Sequence, residues 1–118
     1  VEGAGGLRVP ITWAEDYLDL AVKLGAEAVL VARAGLGTIN HTLLSLDALR
    51  RKDVPVRGVV LNASTPPAGP YDQHVYSSNL DVLRHLAPLD RFEAVPYLEG
   101  GASSRCLRVA EFVSWLLE

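Results

Sequence analysis

The sequence predicts an α/β fold with a mainly parallel sheet and helices on both faces. Short, wholly apolar runs alternate with longer amphipathic stretches, and glycine or proline lies close to the ends of each run. Apolar runs without a polar face are typical of parallel strands that are buried on both sides. Because parallel strands need a crossover connection, the helices between them are expected to cover the sheet.

Composition limits the class of protein. The 118 residues are 49% apolar and 21% charged, which indicates one globular domain. A net charge of -3 and a pI near 5.6 provide no basic surface for nucleic acid or an anionic membrane. The apolar runs are too short to span a bilayer. We therefore predict a cytoplasmic protein without nucleic-acid or membrane partners.

The first helix is predicted to begin at Thr12. Thr12 and Glu15 have the spacing of a capping box, and the helix should continue to about Leu24. Trp13 and Tyr17 fall on its apolar face, so Trp13 is expected to pack in the core. Gly25 suits the left-handed position that ends a helix.

The remaining elements follow in order. Residues 28–32 predict a first strand, 38–51 a helix, and 57–62 a second strand. Prolines at 66, 67 and 70 interrupt regular structure, and a helix is expected over about 73–86. A short strand at 92–95 and a helix over about 104–117 complete the pattern. Cys106 lies on the apolar stripe of that last helix and is predicted to be a buried core thiol, with Trp115 also packed.

Candidate binding residues lie where strands of such sheets end. Glu2 offers a carboxylate for a hard cation beside a turn of small residues, and Asn62 offers a donor and an acceptor that match an adenine edge. The helix start at Thr38 presents unpaired amides that suit a carboxylate. Each residue also has a structural explanation: Glu2 as a terminal residue, Thr38 as a helix cap and Asn62 as a turn former. His41, His74 and His85 are expected on the surface.

Four segments together resemble the dethiobiotin synthetase family over essentially the whole chain. They are V-E-G-A-G-G at 1–6, A-G-L-G-T-I-N-H at 34–41, V-V-L-N at 59–62 and V-P-Y-L at 95–98, and the block at 36–41 is the most specific. The resemblance implies a P-loop NTPase-like fold and an ATP- and Mg²⁺-dependent closure of a cyclic urea. The implied substrates are CO₂ and 7,8-diaminononanoate, in biotin biosynthesis. It also implies a homodimer with active sites near the interface.

The same resemblance implies roles for individual residues. The ATP-binding set is Glu2, Gly3, Ala4, Gly5, Asn62, Ala63, Pro96, Tyr97 and Leu98. Glu2 is also the implied Mg²⁺ ligand. The set for the carboxylate of the diamino acid, which arrives from across the dimer interface, is Gly37, Thr38, Ile39, Asn40 and Tyr76. No catalytic residue is assigned within these positions.

A phosphate-binding G-x-x-x-x-G-K-[ST] motif does not occur in the 118 residues. The resemblance places that motif, a second acidic Mg²⁺ ligand and a carbamate-steadying lysine before Val1. We therefore predict that residues 1–118 are a single partial domain that lacks the N-terminal strands, is inactive alone and associates through exposed sheet. The alternatives are a noncatalytic nucleotide-binding or dimerisation module, and a relative of cobyrinic acid synthetases or partitioning ATPases.

Overall fold

A computed structural model describes residues 1–117, except for the side chains of Ala102 and Leu117. Helices and strands alternate as the sequence predicts. In chain order they are α1 (Tyr17–Leu24), β1 (Ala28–Arg33), α2 (Thr38–Arg51), β2 (Val56–Asn62), α3 (Pro70–Leu86), β3 (Phe92–Val95), α4 (Ala102–Phe112) and a 3₁₀ turn (Ser114–Leu117). None of the helices within these residues is both long and apolar enough to cross a membrane.

The strands form a parallel sheet in the order β1-β2-β3. Arg33 at the end of β1 pairs with Asn62, and Asn62 pairs with Val95 at the end of β3. The three strands thus end in line, and the loops that follow them all leave from one edge of the sheet. This register brings segments that are distant in sequence to a common edge.

Alternating residues of β2 bury the two faces of the sheet. Val59 and Leu61, both fully buried, belong to a core with residues of α2 and α3. Val60 faces the other side, where it packs with Trp115 and with residues of α4. Helices therefore cover both faces, and the predicted α/β architecture is confirmed.

The start of α1 differs from the prediction. Oδ1 of Asp16 accepts a hydrogen bond from the Asp19 amide at 3.0 Å, and Oδ2 of Asp19 accepts one from the Asp16 amide at 3.2 Å. This capping box fixes the start at Tyr17, whereas the Thr12 hydroxyl closes a turn by accepting from the amides of residues 14 and 15. The predicted start at Thr12 is wrong because Asp16, four residues later, forms the complete reciprocal capping box with Asp19.

Trp13 is fully exposed in the segment before α1, so the prediction that it packs in the core is also wrong. Gly25 has φ 57°, as predicted for the end of this helix. Helix α3 starts at Pro70, earlier than expected, because proline is well suited to the first helical position.

The C-terminal region differs from the prediction in the position of one side chain. Trp115 is buried as predicted, but Cys106 is exposed, so its assignment as a core thiol is wrong. The residues of α4 that pack on the sheet are Val109 and Phe112. Cys106 lies about one turn nearer the start of α4, where the helix borders a cleft instead of the core.

Candidate functional site

A cleft of about 570 Å³ lies beyond the carboxyl ends of β2 and β3. Its volume falls in the range of small-molecule sites. It is lined by Asn62, Ala63, Ser64, Val95, Pro96, Tyr97, Leu98, Arg105, Cys106, Val109, Ala110 and Val113. The lining is mainly apolar, with a few polar groups near the end of β2, as is usual for small-molecule sites.

The strand ends hold the walls of the cleft in place. The Ala63 amide donates to the Val95 carbonyl at 2.9 Å, so the loops after β2 and β3 are joined where they leave the sheet. Ala63 and Leu98 are buried, while Asn62 is exposed at the end of its strand. The amide side chain of Asn62 is therefore available to a ligand on a rigid strand end.

The structure brings together part of the predicted ATP-binding set. Asn62, Ala63, Pro96, Tyr97 and Leu98 all line the cleft.

The other part of the set lies elsewhere. Glu2, Gly3, Ala4 and Gly5 are exposed, outside the sheet, and are not among the described residues that line the cleft. Gly3 lies against Tyr17 so closely that a Cβ atom at position 3 would be 2.9 Å from the ring. Gly3 therefore lies beside the first residue of α1, and residues 2–5 do not border the cleft at the edge of the sheet.

Glu2 does not form a metal site by itself. Within residues 1–117 there is no group of three or more His, Cys, Asp or Glu side chains arranged to hold a metal ion. Mg²⁺ is usually held by one or two carboxylates together with water and substrate phosphates. A single carboxylate such as that of Glu2 would therefore hold Mg²⁺ only together with phosphate oxygens and water.

The start of α2 has the features expected of an anion site. Gly37 is the N-cap residue with φ 89° and provides no capping side chain. The Thr38 amide donates to the Gly35 carbonyl at 3.3 Å, and the His41 amide to the Gly37 carbonyl at 3.1 Å. No backbone acceptor among the described residues faces the amides of Ile39 and Asn40. These amides remain available at the positive end of the helix.

Thr38 does not cap this helix. Its hydroxyl is buried and lies 3.4 Å from the Thr42 hydroxyl one turn later. The interpretation of Thr38 as the capping side chain is therefore wrong. Ile39 and Tyr76 are half-buried against the core, whereas Asn40 and His41 are exposed.

Sequence reasoning missed two polar residues of this region. Asn79, which is buried, donates from Nδ2 to the Ala34 carbonyl at 2.9 Å. Its spacing from Tyr76 could have indicated it, because a polar residue three positions later lies on the same side of α3. Arg105 is the charged side chain that borders the cleft. Nothing in its sequence context distinguishes it from Arg108, which does not line the cleft.

A sequence model described as an AAA domain matches residues 1–103. An ATP-dependent dethiobiotin synthetase BioD of Rhodopseudomonas palustris (strain TIE-1) is 56% identical over 103 residues, which cover 86% of this chain and 45% of the relative. The enzyme of the same name from Anaeromyxobacter dehalogenans (strain 2CP-C) is 47% identical over 89 residues, covering 75% and 40%. A biotin biosynthesis bifunctional protein BioCD of Bordetella avium (strain 197N) is 47% identical over 95 residues, covering 80% and 20%.

The parallel sheet, the flanking helices and the AAA domain match define a partial P-loop NTPase-like α/β protein. Within that class, the chain belongs to the dethiobiotin synthetase family, as the four sequence segments predicted. It spans less than half the length of the curated relatives named above.

Proposed function

We propose that this chain is the adenine-binding and substrate-carboxylate-binding part of an ATP-dependent dethiobiotin synthetase of the cytoplasm. The observation that supports this most is the cleft at the ends of β2 and β3, which Asn62, Pro96 and Leu98 all border. The complete enzyme would use ATP and Mg²⁺ to close a cyclic urea from CO₂ and 7,8-diaminononanoate. The names of the relatives support a ligase of biotin biosynthesis.

The cleft suits a purine for two reasons. Its apolar lining offers contact area to the faces of the ring, and the Asn62 amide can donate to N7 and accept from N6 of adenine. Backbone groups of residues 96–98 complete the wall. Because Asn62 ends a paired strand, its backbone position is fixed before the ligand arrives, which lowers the entropy cost of binding.

The start of α2 suits the carboxylate of the diamino acid. The amides of Ile39 and Asn40 and the helix dipole favour a negative group there. Tyr76 would add a phenolic donor from α3. The proposed homodimer would place this helix start at the neighbouring subunit's site, so that each chain completes its partner.

Glu2 is proposed as a magnesium ligand only in the presence of phosphate oxygens. The Glu2 carboxylate would hold the ion, and the bound ion would supply charge neutralisation at the phosphates. Phosphoryl transfer depends on positioning and on charge neutralisation, and the 118 residues include no phosphate-binding motif. The chain by itself is therefore expected to bind nucleotide without turning it over.

Titration calorimetry of the full chain with ATP tests the proposal. We expect binding without hydrolysis, and Asn62→Leu should weaken it about tenfold because both amide hydrogen bonds are lost. Ser64→Ala, which alters the same cleft without removing the base-reading amide, should leave affinity near that of the unaltered chain. Equal binding of ATP by the Asn62→Leu variant would contradict the assignment.

A mass-spectrometric assay addresses turnover. The chain is incubated with ATP, Mg²⁺, bicarbonate and 7,8-diaminononanoate, and we expect no dethiobiotin and no ADP above the blank. Product formation would overturn the predicted inactivity.

The second candidate is a noncatalytic nucleotide-binding or dimerisation module. The presence of a cleft in a chain without a phosphate-binding motif favours it. ATP binding without any affinity for 7,8-diaminononanoate would support the module. A cobyrinic acid synthetase or partitioning ATPase relative is less favoured, since the relatives named above are biotin-synthesis proteins.

A further inference from the structure

Asn79 connects α3 to the turn between β1 and α2. The residue is 8% exposed, and its side-chain Nδ2 donates to the carbonyls of Ala34 at 2.9 Å and of Gly35 at 3.4 Å. These partners lie 45 and 44 positions away in sequence. A buried amide that joins two distant elements restricts the turn, because loss of the donor would leave the buried Ala34 carbonyl without this partner.

The turn that Asn79 holds is shared by both proposed ligand sites. The Ala34 amide donates to the Asn62 carbonyl at 3.0 Å, which ties the turn to the strand end at the adenine cleft. The Gly35 carbonyl also accepts from the Thr38 amide at 3.3 Å, which ties the turn to the start of α2. Any displacement of residues 34 and 35 therefore moves the first turn of α2.

We propose that Asn79 is a positioning residue for the substrate carboxylate, an inference that rests on the proposed function. By fixing the turn, it holds the free amides of Ile39 and Asn40 in one orientation. Tyr76 lies three positions earlier on the same side of α3. Ala34 of the turn belongs to the core cluster against which Tyr76 and Ile39 pack, so Asn79 fixes the turn beside both residues without touching the substrate.

Asn79→Asp tests this at neutral pH, because a carboxylate of the same shape has no N–H to donate and repels both carbonyls. Hydrogen exchange measured by NMR on the full chain should accelerate at the Thr38 and His41 amides by about tenfold or more. The Ala63 amide, which bonds to Val95 across the sheet, should exchange at an unchanged rate. Affinity for 7,8-diaminononanoate should fall about tenfold. ATP affinity should change much less, because the pairing of Asn62 with Val95 on β3 holds that strand end independently of the turn.

Leu83→Val is the matched control. Leu83 is fully buried one turn further along α3, in the same core cluster as Ala34, and forms no hydrogen bond with the turn. This variant should lower the free energy of unfolding without a selective increase in hydrogen exchange at the Thr38 amide. If Asn79→Asp does not fold, Asn79→Ser provides the test, because it removes the contact without burying a charge.

Faster hydrogen exchange confined to the Thr38 and His41 amides, together with weaker binding of 7,8-diaminononanoate, supports the proposal. Unchanged exchange at Thr38 and His41 overturns it, and so does a parallel loss at all amides and for both ligands, as expected for general destabilisation. If the unaltered chain binds no 7,8-diaminononanoate, the proposed substrate fails. The exchange rates at Thr38 and His41 then still decide whether Asn79 positions the start of α2.

Discussion

Gly58 and Trp115 are packed so closely that a Cβ atom at position 58 would lie 2.6 Å from Cη2 of the indole. The carbonyl oxygen of Arg91 would be 3.1 Å away on β3's side. Gly58 thus allows the 3₁₀ turn to lie directly on β2, which seals the face of the sheet that α4 covers. Glycine is required here for space, since this site has no positive φ.

Gly58→Ala should lower the free energy of unfolding by about 1–3 kcal/mol, because the methyl group forces the buried indole or the strand to move. Urea denaturation followed by circular dichroism measures this change. Gly35→Ala is the control, since a Cβ atom there meets nothing within 4 Å. Equal midpoints for the two variants would contradict the close packing of Gly58 and Trp115.

The Asp16 cap predicts a pH dependence of stability. The hydrogen bond from the Asp19 amide and the nearby Arg8 guanidinium, 3.1 Å away, hold the pKa of Asp16 below its ordinary value, and partial burial opposes them less strongly. A lowered folded-state pKa stabilises the fold above the ordinary value of 3.8, and this contribution is lost as the pH falls through the folded-state pKa.

Asp16→Asn keeps a capping side chain but removes the charge. We expect the unaltered chain to be the more stable of the two at pH 7, and the difference to shrink as the pH falls below 3.8. Thermal unfolding of both proteins across this range measures it. A difference that stays constant down to the lowest pH would show that the charge of Asp16 has no part in the cap.

Cys106 provides a chemical reporter of the cleft. It is exposed, lines the cleft, and is the single cysteine of the chain, so alkylation reports on this site alone. If ATP occupies the cleft, it should slow alkylation by iodoacetamide several-fold at saturating concentration. Mass spectrometry measures the rate. At an ATP concentration a few times the Kd of the unaltered chain, the Asn62→Leu variant, which should bind about tenfold more weakly, is expected to show little protection. Unchanged alkylation under proven saturation would place the nucleotide elsewhere.

The strands and α2 could be predicted from sequence, because the local pattern of apolar residues in these segments matches the residues that are buried. Helix α2 spans Thr38–Arg51 and β3 spans Phe92–Val95, as predicted, since glycine or proline beside them limits the alternatives. The start of α1 could not be decided locally, because Thr12 and Asp16 both have a capping pattern. The exposed position of Glu2 and the contact of Asn79 with Ala34 depend on tertiary packing, which periodicity does not contain.

The edge of β1 that does not pair with β2 predicts association between copies of the chain. Among the described strands only β2 pairs with β1, so its outer edge presents unpaired backbone groups. Val31 of this strand is 64% exposed, although Val29, two residues earlier on the same face, packs against the cluster that contains Trp115. An apolar edge of this kind favours pairing with another chain.

Val31→Lys should reduce this association, because a lysine on an edge strand opposes strand pairing. Small-angle X-ray scattering of the unaltered chain should give a radius of gyration above that of the monomer, whose Cα value is 14.9 Å, and the variant should approach the monomer value. Val22→Lys, at a 44% exposed position on α1, is the matched control and should leave association unchanged. A compact, monodisperse monomer for the unaltered chain would sink this prediction, because the edge would then need no partner.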